Sequence, residues 1–383
     1  MNNKAACVVG AILWLAVSAM AEETPSRVVA EFKMVDGLPV VPVKLDGKEC
    51  PFVILPANSF VVLDNSLRKT ATQPIRQVPS RGTGELFDAF EAPDATIGNI
   101  RLKECGEVIY ADLTPYHSVT GVDVRGILGK NLLEKYVVQM DVGNGVLRFI
   151  DPLAHSDTSW GAPVALEGEE TLREWETVRV RGSVSGIKAL FAFSPFGPSE
   201  LGRNTYAAAC RMQDEHLREG KTLTIITDDA QDVDETRVAR FDVILGDKKY
   251  QGLIFMRSDQ CTLGRDFLRR HSLVTFDFPD KKLYLKEGRN FDRQDEADMS
   301  GLHLLRIDGK TIVARAADKE TPASKAGIKL GDVIVKIDGK DAGEYTLFGI
   351  RDLLRSSDGK KINLTIRRGE EVLDVVITLQ ELW

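Results

Sequence analysis

The sequence lacks several features that mark common classes of protein. Its 50 lysines and arginines are outnumbered by 57 aspartates and glutamates, which gives a formal net charge of -7. A chain of this charge has no basic field for a phosphate backbone, which argues against nucleic acid as a partner. Beyond residue 21, no apolar run is long enough to cross a bilayer.

Motifs for metal and nucleophilic catalysis are also missing. The five histidines are scattered, and none has the spacing of an H-E-x-x-H zinc motif. The chain contains neither a G-x-S-x-G elbow nor a P-loop. No two cysteines have the close spacing that zinc sites use. The sequence therefore predicts neither a bound metal nor a cofactor.

The N-terminal segment, residues 1–21, has the pattern of a Sec-type signal peptide. Lys4 precedes an apolar run that begins at Ala5, and the small residues Ala19 and Ala21 occupy the positions that a signal peptidase recognises. An uncleaved anchor is the alternative, because the run is close to the roughly 17-residue lower limit of a spanning helix. We favour cleavage, and we expect a periplasmic or secreted protein without a membrane span.

The central part of the chain contains an internal repeat. Residues 129–135 resemble residues 264–270, and each segment continues into an apolar strand, a turn and a second strand. At 383 residues the chain is long enough for two or three domains. We therefore predict two similar, mostly β lobes over residues 28–160 and 170–288.

The starts of the two lobes match as well. Each begins with a β-hairpin, over residues 40–55 in the first lobe and 178–193 in the second. The second strand of each hairpin ends in a proline-containing break, at Pro56 and at Pro195. The repeat therefore extends through most of both lobes.

This repeated unit resembles the lobes of pepsin-like and retropepsin-like aspartic proteases. In that family a hairpin strand ends in Asp-Thr-Gly, and a later apolar-Leu-Gly element closes a loop around the triplet. Ile127-Leu128-Gly129 and Thr262-Leu263-Gly264 fit the closing element, and Phe52-Val53-Ile54 fits the strand before the first triplet. The resemblance implies a fold of two β-barrel lobes.

The resemblance fails at the catalytic residues. Aligned through the flanking segments, Leu55 stands where the first aspartate belongs and Phe193 where the second belongs. Aspartic proteases need two carboxylates that share one proton. Neither Leu55 nor Phe193 can ionise, so we expect a pseudoprotease. The two residues either fill the core, which we favour, or form the floor of a groove between the lobes that still binds a ligand.

Four cysteines remain after the predicted signal peptide: Cys50, Cys105, Cys210 and Cys261. An even number in an exported chain is typical of disulfides, and four cysteines permit three pairings. The duplication favours bonds within each lobe, Cys50 with Cys105 and Cys210 with Cys261.

A polar, charged segment at residues 289–298 reads as an exposed linker to a C-terminal domain over residues 299–383. This domain strongly resembles the PDZ domains of bacterial envelope proteases. The residues that carry the resemblance are Pro322-Ala323 with Ala326-Gly327, then Gly331-Asp332-Val333-Ile334, then Asp338-Gly339. The resemblance implies a site for peptides or protein C-terminal tails.

In such a site a peptide adds as a β-strand, and backbone N–H groups of a loop hold its terminal carboxylate. The segment Gly301, Leu302, His303 and Leu304 resembles the family's carboxylate-binding loop and the strand after it. Leu302 and Leu304, with Leu347 and Ile350 from a predicted helix, would line the pocket for the last side chain. Ordinary core packing is the alternative for each of these four residues, and His303 has no assigned role.

We therefore expect an exported, catalytically inactive protein that binds peptides through its PDZ domain. The alternative is an active aspartic-type endopeptidase with a relocated site, to which the PDZ domain delivers substrate. Asp141-Val142-Gly143 is the best literal match for such a site. We favour a turn there, because no Leu-Gly element follows at the spacing of a lobe and Asp277 occupies the equivalent place without a glycine.

Overall fold

The computed structural model describes residues 28–69, 72–79, 86–154, 160–168, 178–213, 219–225, 233–316 and 320–382. The predicted signal peptide lies outside these residues. Within them, no helix is long and apolar enough to cross a membrane. The prediction of a mostly β chain is confirmed.

The N-terminal lobe is built from short strands joined by tight turns. In the first hairpin, Asp46 and Gly47 both have positive φ, 49° and 77°, as a type I′ turn requires. The strands are β1 (Val28–Lys33), β2 (Val40–Leu45), β3 (Lys48–Ile54), β4 (Val61–Asp64), β5 (Arg76–Pro79), β6 (Leu86–Glu91), β7 (Ala95–Ile97), β8 (Ile100–Arg101), β9 (Glu107–Ala111), β10 (Gly126–Leu128), β11 (Val137–Asp141) and β12 (Val146–Ile150). Nine of them form one sheet in the order β5-β6-β9-β4-β10-β3-β2-β7-β8.

The second lobe repeats the opening hairpin, with Ser185 and Gly186 at positive φ in its turn. Strand β13 (Pro163–Gly168) precedes this lobe, whose strands are β14 (Val178–Val184), β15 (Ile187–Phe193), β16 (Ser199–Gly202), β17 (Glu219–Ile225), β18 (Val233–Leu245), β19 (Lys248–Ser258), β20 (Thr262–Leu263), β21 (His271–Asp277) and β22 (Lys282–Glu287). An additional pairing of β14 with β18 folds this part of the sheet back on itself.

One continuous sheet joins the two lobes. Strand β11 of the first lobe pairs antiparallel with β21 of the second, from Val137 opposite Asp277 to Asp141 opposite Leu273. At the centre of this pair, the buried amide of Gln139 donates a hydrogen bond of 3.2 Å to the Thr275 hydroxyl. The lobes therefore share backbone hydrogen bonds as well as side-chain packing.

The sequence repeat corresponds to a repeated strand arrangement. In the first lobe β10 runs parallel to β3, and in the second lobe β20 runs parallel to β15. The glycine after each of these later strands has no room for a side chain. A Cβ on Gly129 would lie 2.1 Å from the Phe60 carbonyl oxygen, and one on Gly264 would lie 2.3 Å from the Pro198 carbonyl carbon. Both glycines are required because backbone passes directly against them.

The helices are short. They are α1 (Thr114–Thr120), α2 (Lys130–Leu133), α3 (Arg203–Gln213), α4 (Arg265–Leu268), α5 (Pro322–Lys325) and α6 (Leu347–Leu354). Helix α1 begins after Leu113, has Pro115 in its first turn and ends at Gly121 in the left-handed conformation, as helix caps favour. Leu113 N–H donates to the buried carboxylate of Asp64 at 3.1 Å, which anchors the start of α1 in the first lobe.

The C-terminal part of the chain forms a separate sheet. Its strands are β23 (Leu302–Ile307), β24 (Lys310–Ala316), β25 (Val333–Ile337), β26 (Lys340–Asp341), β27 (Lys361–Arg368) and β28 (Glu371–Thr378). The order is β23-β24-β25-β27-β28, with β26 beside β25. Buried aliphatic side chains of the strands, α5 and α6 form an apolar core of its own.

The segment before this sheet is less exposed than the sequence predicts. Asp295 forms a buried ion pair with Arg270 at 2.8 Å, and it also accepts the N–H of Ile254 at 3.0 Å. The predicted linker is therefore anchored to the second lobe at this residue.

Candidate functional site

Strand β23 and helix α6 form the two sides of the predicted groove. In the C-terminal sheet β23 is an edge strand, paired with β24 on one side, and α6 packs beside it. The other edge of such a strand offers backbone N–H and C=O groups to an added strand. The fold therefore supplies the geometry for β-strand addition.

The residue before β23 has to be glycine. Gly301 has φ of 74°, and a Cβ there would lie 2.4 Å from the Cβ of Thr321. A side chain would be strained by the backbone conformation and would also collide with Thr321.

The four predicted lining residues come together. Leu302 and Leu304 on β23 and Leu347 and Ile350 on α6 are all buried within one apolar cluster. His303 alternates away from them and is half-buried. The structure thus brings together the apolar residues that the sequence assigned to the pocket.

The loop before β23 already holds a carboxylate of the chain itself. Asp298 accepts hydrogen bonds from the N–H groups of Ser300 and Gly301, and from the Ser300 hydroxyl at 2.7 Å. The Ser300 hydroxyl in turn accepts the Leu302 N–H at 3.0 Å. Burial raises the pKa of Asp298 to about 6, against the opposing effect of the hydrogen bonds from Ser300 and Gly301.

Arg351 of α6 spans the groove. One guanidinium nitrogen donates to the Leu304 carbonyl at 2.9 Å, and another donates to the Val119 carbonyl at 2.7 Å. Burial lowers the pKa of Arg351 to about 10, helped by nearby Arg265 and Arg355. Its side chain is still charged at neutral pH and ties the edge of β23 to helix α1 of the first lobe.

The C-terminal end of α1 contacts both sides of the groove. A Cβ on Gly121 would lie 3.1 Å from the Cβ of Leu347 on α6 and 3.6 Å from the Cβ of Arg306 on β23. Helix α1 also packs along β23. The first lobe therefore covers the groove in this structure.

Phe348 of α6 packs into the space between the lobes. It is 5% exposed and lies in an apolar cluster with Leu38 of the first lobe and Phe196 of the second. The guanidinium of Arg265 lies 4.5 Å from the centre of its ring, a cation–π contact. Half-buried Leu55 packs against the same cluster. Leu55 and Phe348 thus belong to the same apolar region, which joins the C-terminal domain to the lobes.

Ion pairs add to this contact. Arg355 of α6 donates two hydrogen bonds to Asp266 of the second lobe, at 2.7 and 2.9 Å. Asp352 accepts from Arg269 of the second lobe at 3.0 Å. A bidentate arginine–carboxylate pair has a defined geometry as well as attraction, so these pairs orient α6 against the second lobe.

The structure corrects one of the two positions that were aligned with the catalytic aspartates, Leu55 and Phe193. Leu55 N–H donates to Leu128 O at 3.1 Å, and the matching bond in the second lobe is from Ser194 N–H to Leu263 O at 3.0 Å. The counterpart of Leu55 is therefore Ser194, and the assignment to Phe193 is wrong by one residue. Phe193 is 1% exposed and its ring centre lies 5.2 Å from that of Phe276 in the core.

Asp141, in the segment that matched a relocated catalytic site, stabilises a turn. Its carboxylate accepts from Asn144 N–H at 3.0 Å and from Arg148 at 3.2 Å. Burial raises the pKa of Asp141, but these hydrogen bonds outweigh it and hold the pKa below its ordinary value. Asp277 lies at the opposite end of the β11–β21 pair. Four residues of strand separate the two by about 13 Å, so their carboxylates cannot share a proton.

The predicted disulfides are wrong, since the structure contains no disulfide among Cys50, Cys105, Cys210 and Cys261. Cys105 is buried, and its thiol donates to the Glu107 carbonyl at 3.5 Å. Cys261 accepts the Gly202 N–H through its sulfur at 3.4 Å. Burial raises the pKa of the Cys105 thiol to about 12, which keeps it protonated and unreactive.

Metal-binding clusters are not found in the part of the chain that the structure describes. No group of three His, Cys, Asp or Glu side chains there could hold a metal ion.

Several residues of the site were not found from the sequence. The role of Asp298 depends on the conformation of its own loop. The roles of Arg351 and Phe348 depend on contacts with segments that are distant in the chain. The one available signal was the charge of Arg351, which lies beside Asp352 in a helix whose other residues are apolar or glycine. Without knowledge of the partner segment, that signal indicates only an exposed helix face.

Comparisons with known proteins are limited to part of the chain. The sequence profile of the PDZ domain matches residues 313–368. A probable CtpA-like serine protease of Staphylococcus saprophyticus is 33% identical over 93 residues, which is 24% of this chain and 19% of that protein. A carboxy-terminal-processing protease of Bartonella bacilliformis is 34% identical over 88 residues, 22% of this chain and 20% of that protein.

A third relative is named as a protease of another class. A putative zinc metalloprotease of Nostoc is 38% identical over 77 residues, 20% of this chain and 21% of that protein. The photosystem II D1 C-terminal processing protease is similar in structure, with a TM-score of 0.22, 24% identity and coverage of 24% of this chain and 26% of that one.

The chain spans about a fifth of the length of the curated relatives it matches. One of these relatives is named as a serine protease and another as a zinc metalloprotease, so the shared region does not identify a catalytic class. The profile match contains α5, β25, β26, α6 and the whole of β27, and these elements share one sheet and one apolar core with β23. The C-terminal part of the chain is therefore a PDZ domain.

Proposed function

We propose that this chain is an exported peptide-binding protein whose PDZ domain takes the C-terminal tail of a partner in the groove between β23 and α6. The observation that carries the proposal is the edge strand β23, preceded by the glycine loop at Gly301 and faced by α6. Leu302, Leu304, Leu347 and Ile350 supply an apolar pocket for the last side chain of the tail.

The chemistry of the loop supports this use. The N–H groups of Ser300 and Gly301 already surround the carboxylate of Asp298. A terminal carboxylate of a peptide has the same charge and the same acceptor atoms, and backbone N–H groups of a loop are a common means of holding one. We assign Gly301, Leu302, His303 and Leu304 to the strand-pairing side of the site.

We further propose that the lobes, residues 28–160 and 170–288, are a non-catalytic unit related to aspartic proteases. The parallel pairings of β3 with β10 and of β15 with β20, each followed by a glycine against backbone, support the relationship. The equivalent loop positions carry Leu55 and Ser194, and neither residue can share a proton with a second carboxylate. The PDZ domain would extend over residues 299–383.

Peptide binding is tested by fluorescence anisotropy of the full chain with labelled decapeptides that end in Val, Leu, Phe or Ala. Each peptide is compared as the free acid and as the C-terminal amide. We expect binding of free acids only, since the amide removes the negative charge. Equal binding of amides would contradict the assignment of the Gly301 loop.

Pocket size is tested with Ile350→Ala, after circular dichroism shows that the variant keeps its fold. A larger pocket should shift the preference from peptides ending in Val towards those ending in Phe by about tenfold. An unchanged ranking would place Ile350 in the core alone.

The absence of catalysis is tested with unfolded casein between pH 3 and 8, where pepstatin-sensitive cleavage would overturn it.

A further inference from the structure

The predicted binding groove is occupied by the chain's own first lobe. Helix α1 lies along β23, and a Cβ on its capping residue Gly121 would lie 3.1 Å from the Cβ of Leu347 and 3.6 Å from the Cβ of Arg306, on the two sides of the groove. Arg351 donates to Val119 at the end of α1. A peptide strand that pairs with β23 would need the space that α1 fills.

The polar groups that a peptide would use are also engaged. The Leu304 carbonyl, at the free edge of β23, accepts from Arg351 at 2.9 Å. The Gly301 N–H donates to Asp298, and the Leu302 N–H donates to Ser300 at 3.0 Å. A buried backbone N–H or C=O group without a hydrogen-bond partner lowers the stability of the fold. In this conformation each of these three groups has a partner.

Displacement of α1 from the groove would also uncover a second surface. Phe348 on α6 fills the space between the lobes beside Leu55, in an apolar cluster with Leu38 and Phe196. Because α6 carries both the groove residue Leu347 and the buried Phe348, separating α1 from the groove also disturbs the cluster. The two contacts therefore hold each other in place.

From these contacts we infer that the PDZ groove is autoinhibited in cis, with α1 of the first lobe as the internal occupant that a C-terminal peptide must displace. This inference rests on the proposed peptide-binding function and names how that site is regulated. A protein whose competent state is only fractionally populated binds with an affinity reduced by that fraction. Weakening the α1 contact should therefore tighten peptide binding without any change in the groove.

Gly121→Val is the variant that tests this inference. A β-branched residue at φ of 72° is strained, and its Cβ meets Leu347 at 3.1 Å. The matched control is Gly145→Val, also in the first lobe and also at positive φ, 67°, but with nothing within 4 Å of the added Cβ. Both variants carry similar backbone strain, and only Gly121→Val pushes against the groove.

A second variant acts on α6 from the second lobe. Asp266→Lys removes the bidentate pair with Arg355 and replaces it with repulsion, and it alters no residue of the groove. If Gly121→Val lacks a cooperative unfolding transition, Asp266→Lys provides the test. The two substitutions lie in different lobes, so agreement between them excludes a local artefact of either.

Two measurements are made on the full chain of each variant. Hydrogen–deuterium exchange of the β23 amides reports whether the groove is open, and anisotropy with the free-acid decapeptides reports binding. We expect faster exchange and at least about tenfold tighter binding in Gly121→Val and Asp266→Lys, with Gly145→Val close to the unmodified chain.

The outcomes separate the inference from the function on which it rests. Faster exchange without any peptide binding would show that α1 covers β23 and would overturn the proposed function. Equal binding by the unmodified chain and by both variants would keep the function and overturn the inference. Unchanged exchange in both variants, with their folds intact, would also overturn it.

Discussion

The guanidinium of Arg351 donates a hydrogen bond to the backbone carbonyl of Leu304 at 2.9 Å. That carbonyl lies on the edge of β23 at which a peptide strand would pair. A side chain of the PDZ domain thus takes the position of the incoming strand. Its second hydrogen bond extends to the first lobe, so a single arginine links the state of the groove to the placement of α1.

Replacement of Arg351 by methionine should loosen this link. Arg351→Met keeps much of the apolar stem and leaves the carbonyls of Leu304 and Val119 without this donor. We expect a loss of about 1–3 kcal/mol in the free energy of unfolding, measured by urea denaturation. Arg367→Met on the exposed face of β27 is the control and should change it by less than about 0.5 kcal/mol. Equal effects would contradict the linking role of Arg351.

Phe348 should contribute strongly to stability, because it is 5% exposed and packs between both lobes and the PDZ domain. Phe348→Ala leaves a cavity there and should cost about 3–5 kcal/mol. The measurement is the midpoint and slope of chemical denaturation. Val372→Ala, at a residue 64% exposed, is the control for loss of an apolar group. A loss below about 1 kcal/mol for Phe348→Ala would show that α6 is not packed between the lobes in solution.

The closing glycine of the first lobe should not tolerate a methyl group. In Gly129→Ala the new Cβ would lie 2.1 Å from the Phe60 carbonyl oxygen, so the backbone has to shift, at a cost of about 3 kcal/mol or more. Gly145→Ala is the comparison, since its cost is limited to backbone strain at positive φ, about 1 kcal/mol. Thermal denaturation ranks the two variants. A similar loss in both would contradict the close approach of backbone at Gly129.

Acidification should destabilise the chain through His271. This side chain is 1% exposed and contacts the Tyr250 hydroxyl at 3.1 Å, and burial lowers its pKa to about 3. The unfolded chain takes up a proton near pH 6.5 and the folded chain does not, so stability falls as the pH drops through this window. The expected loss between pH 7.5 and 5.5 is about 1.4 kcal/mol.

The variant His271→Gln isolates that contribution, because glutamine does not titrate. Its free energy of unfolding should depend less on pH between 7.5 and 5.5 than that of the unmodified chain. The measurement is urea denaturation at both pH values for both proteins. An identical dependence would show that His271 does not bind its proton differently in the two states.

The sequence predicted the apolar cluster better than it predicted the contacts of that cluster with the lobes. The resemblance to PDZ domains implied that Leu302, Leu304, Leu347 and Ile350 lie together, and the structure places all four in one apolar cluster. The roles of Phe348 and Arg351 depend on a surface more than 200 residues away in the chain, which no local pattern encodes.

The errors have physical reasons as well. The parallel ladders that flank the two loops are only two or three residue pairs long, and a slip of one residue reverses the face of every side chain. That slip separates Phe193, which faces the core, from Ser194, the counterpart of Leu55. Disulfides were expected from the count and the compartment of the cysteines and were paired by the duplication, but a disulfide depends on distances that the sequence does not contain.

The account is tested most directly by hydrogen–deuterium exchange of the full chain with and without a free-acid decapeptide. If a C-terminal tail enters the groove and displaces the internal occupant, the amides of β23 at Leu304 and Arg306 become slower to exchange while those of α1 at Thr114–Thr120 become faster. Protection of β23 with no change in α1, or no change in either, would contradict the account.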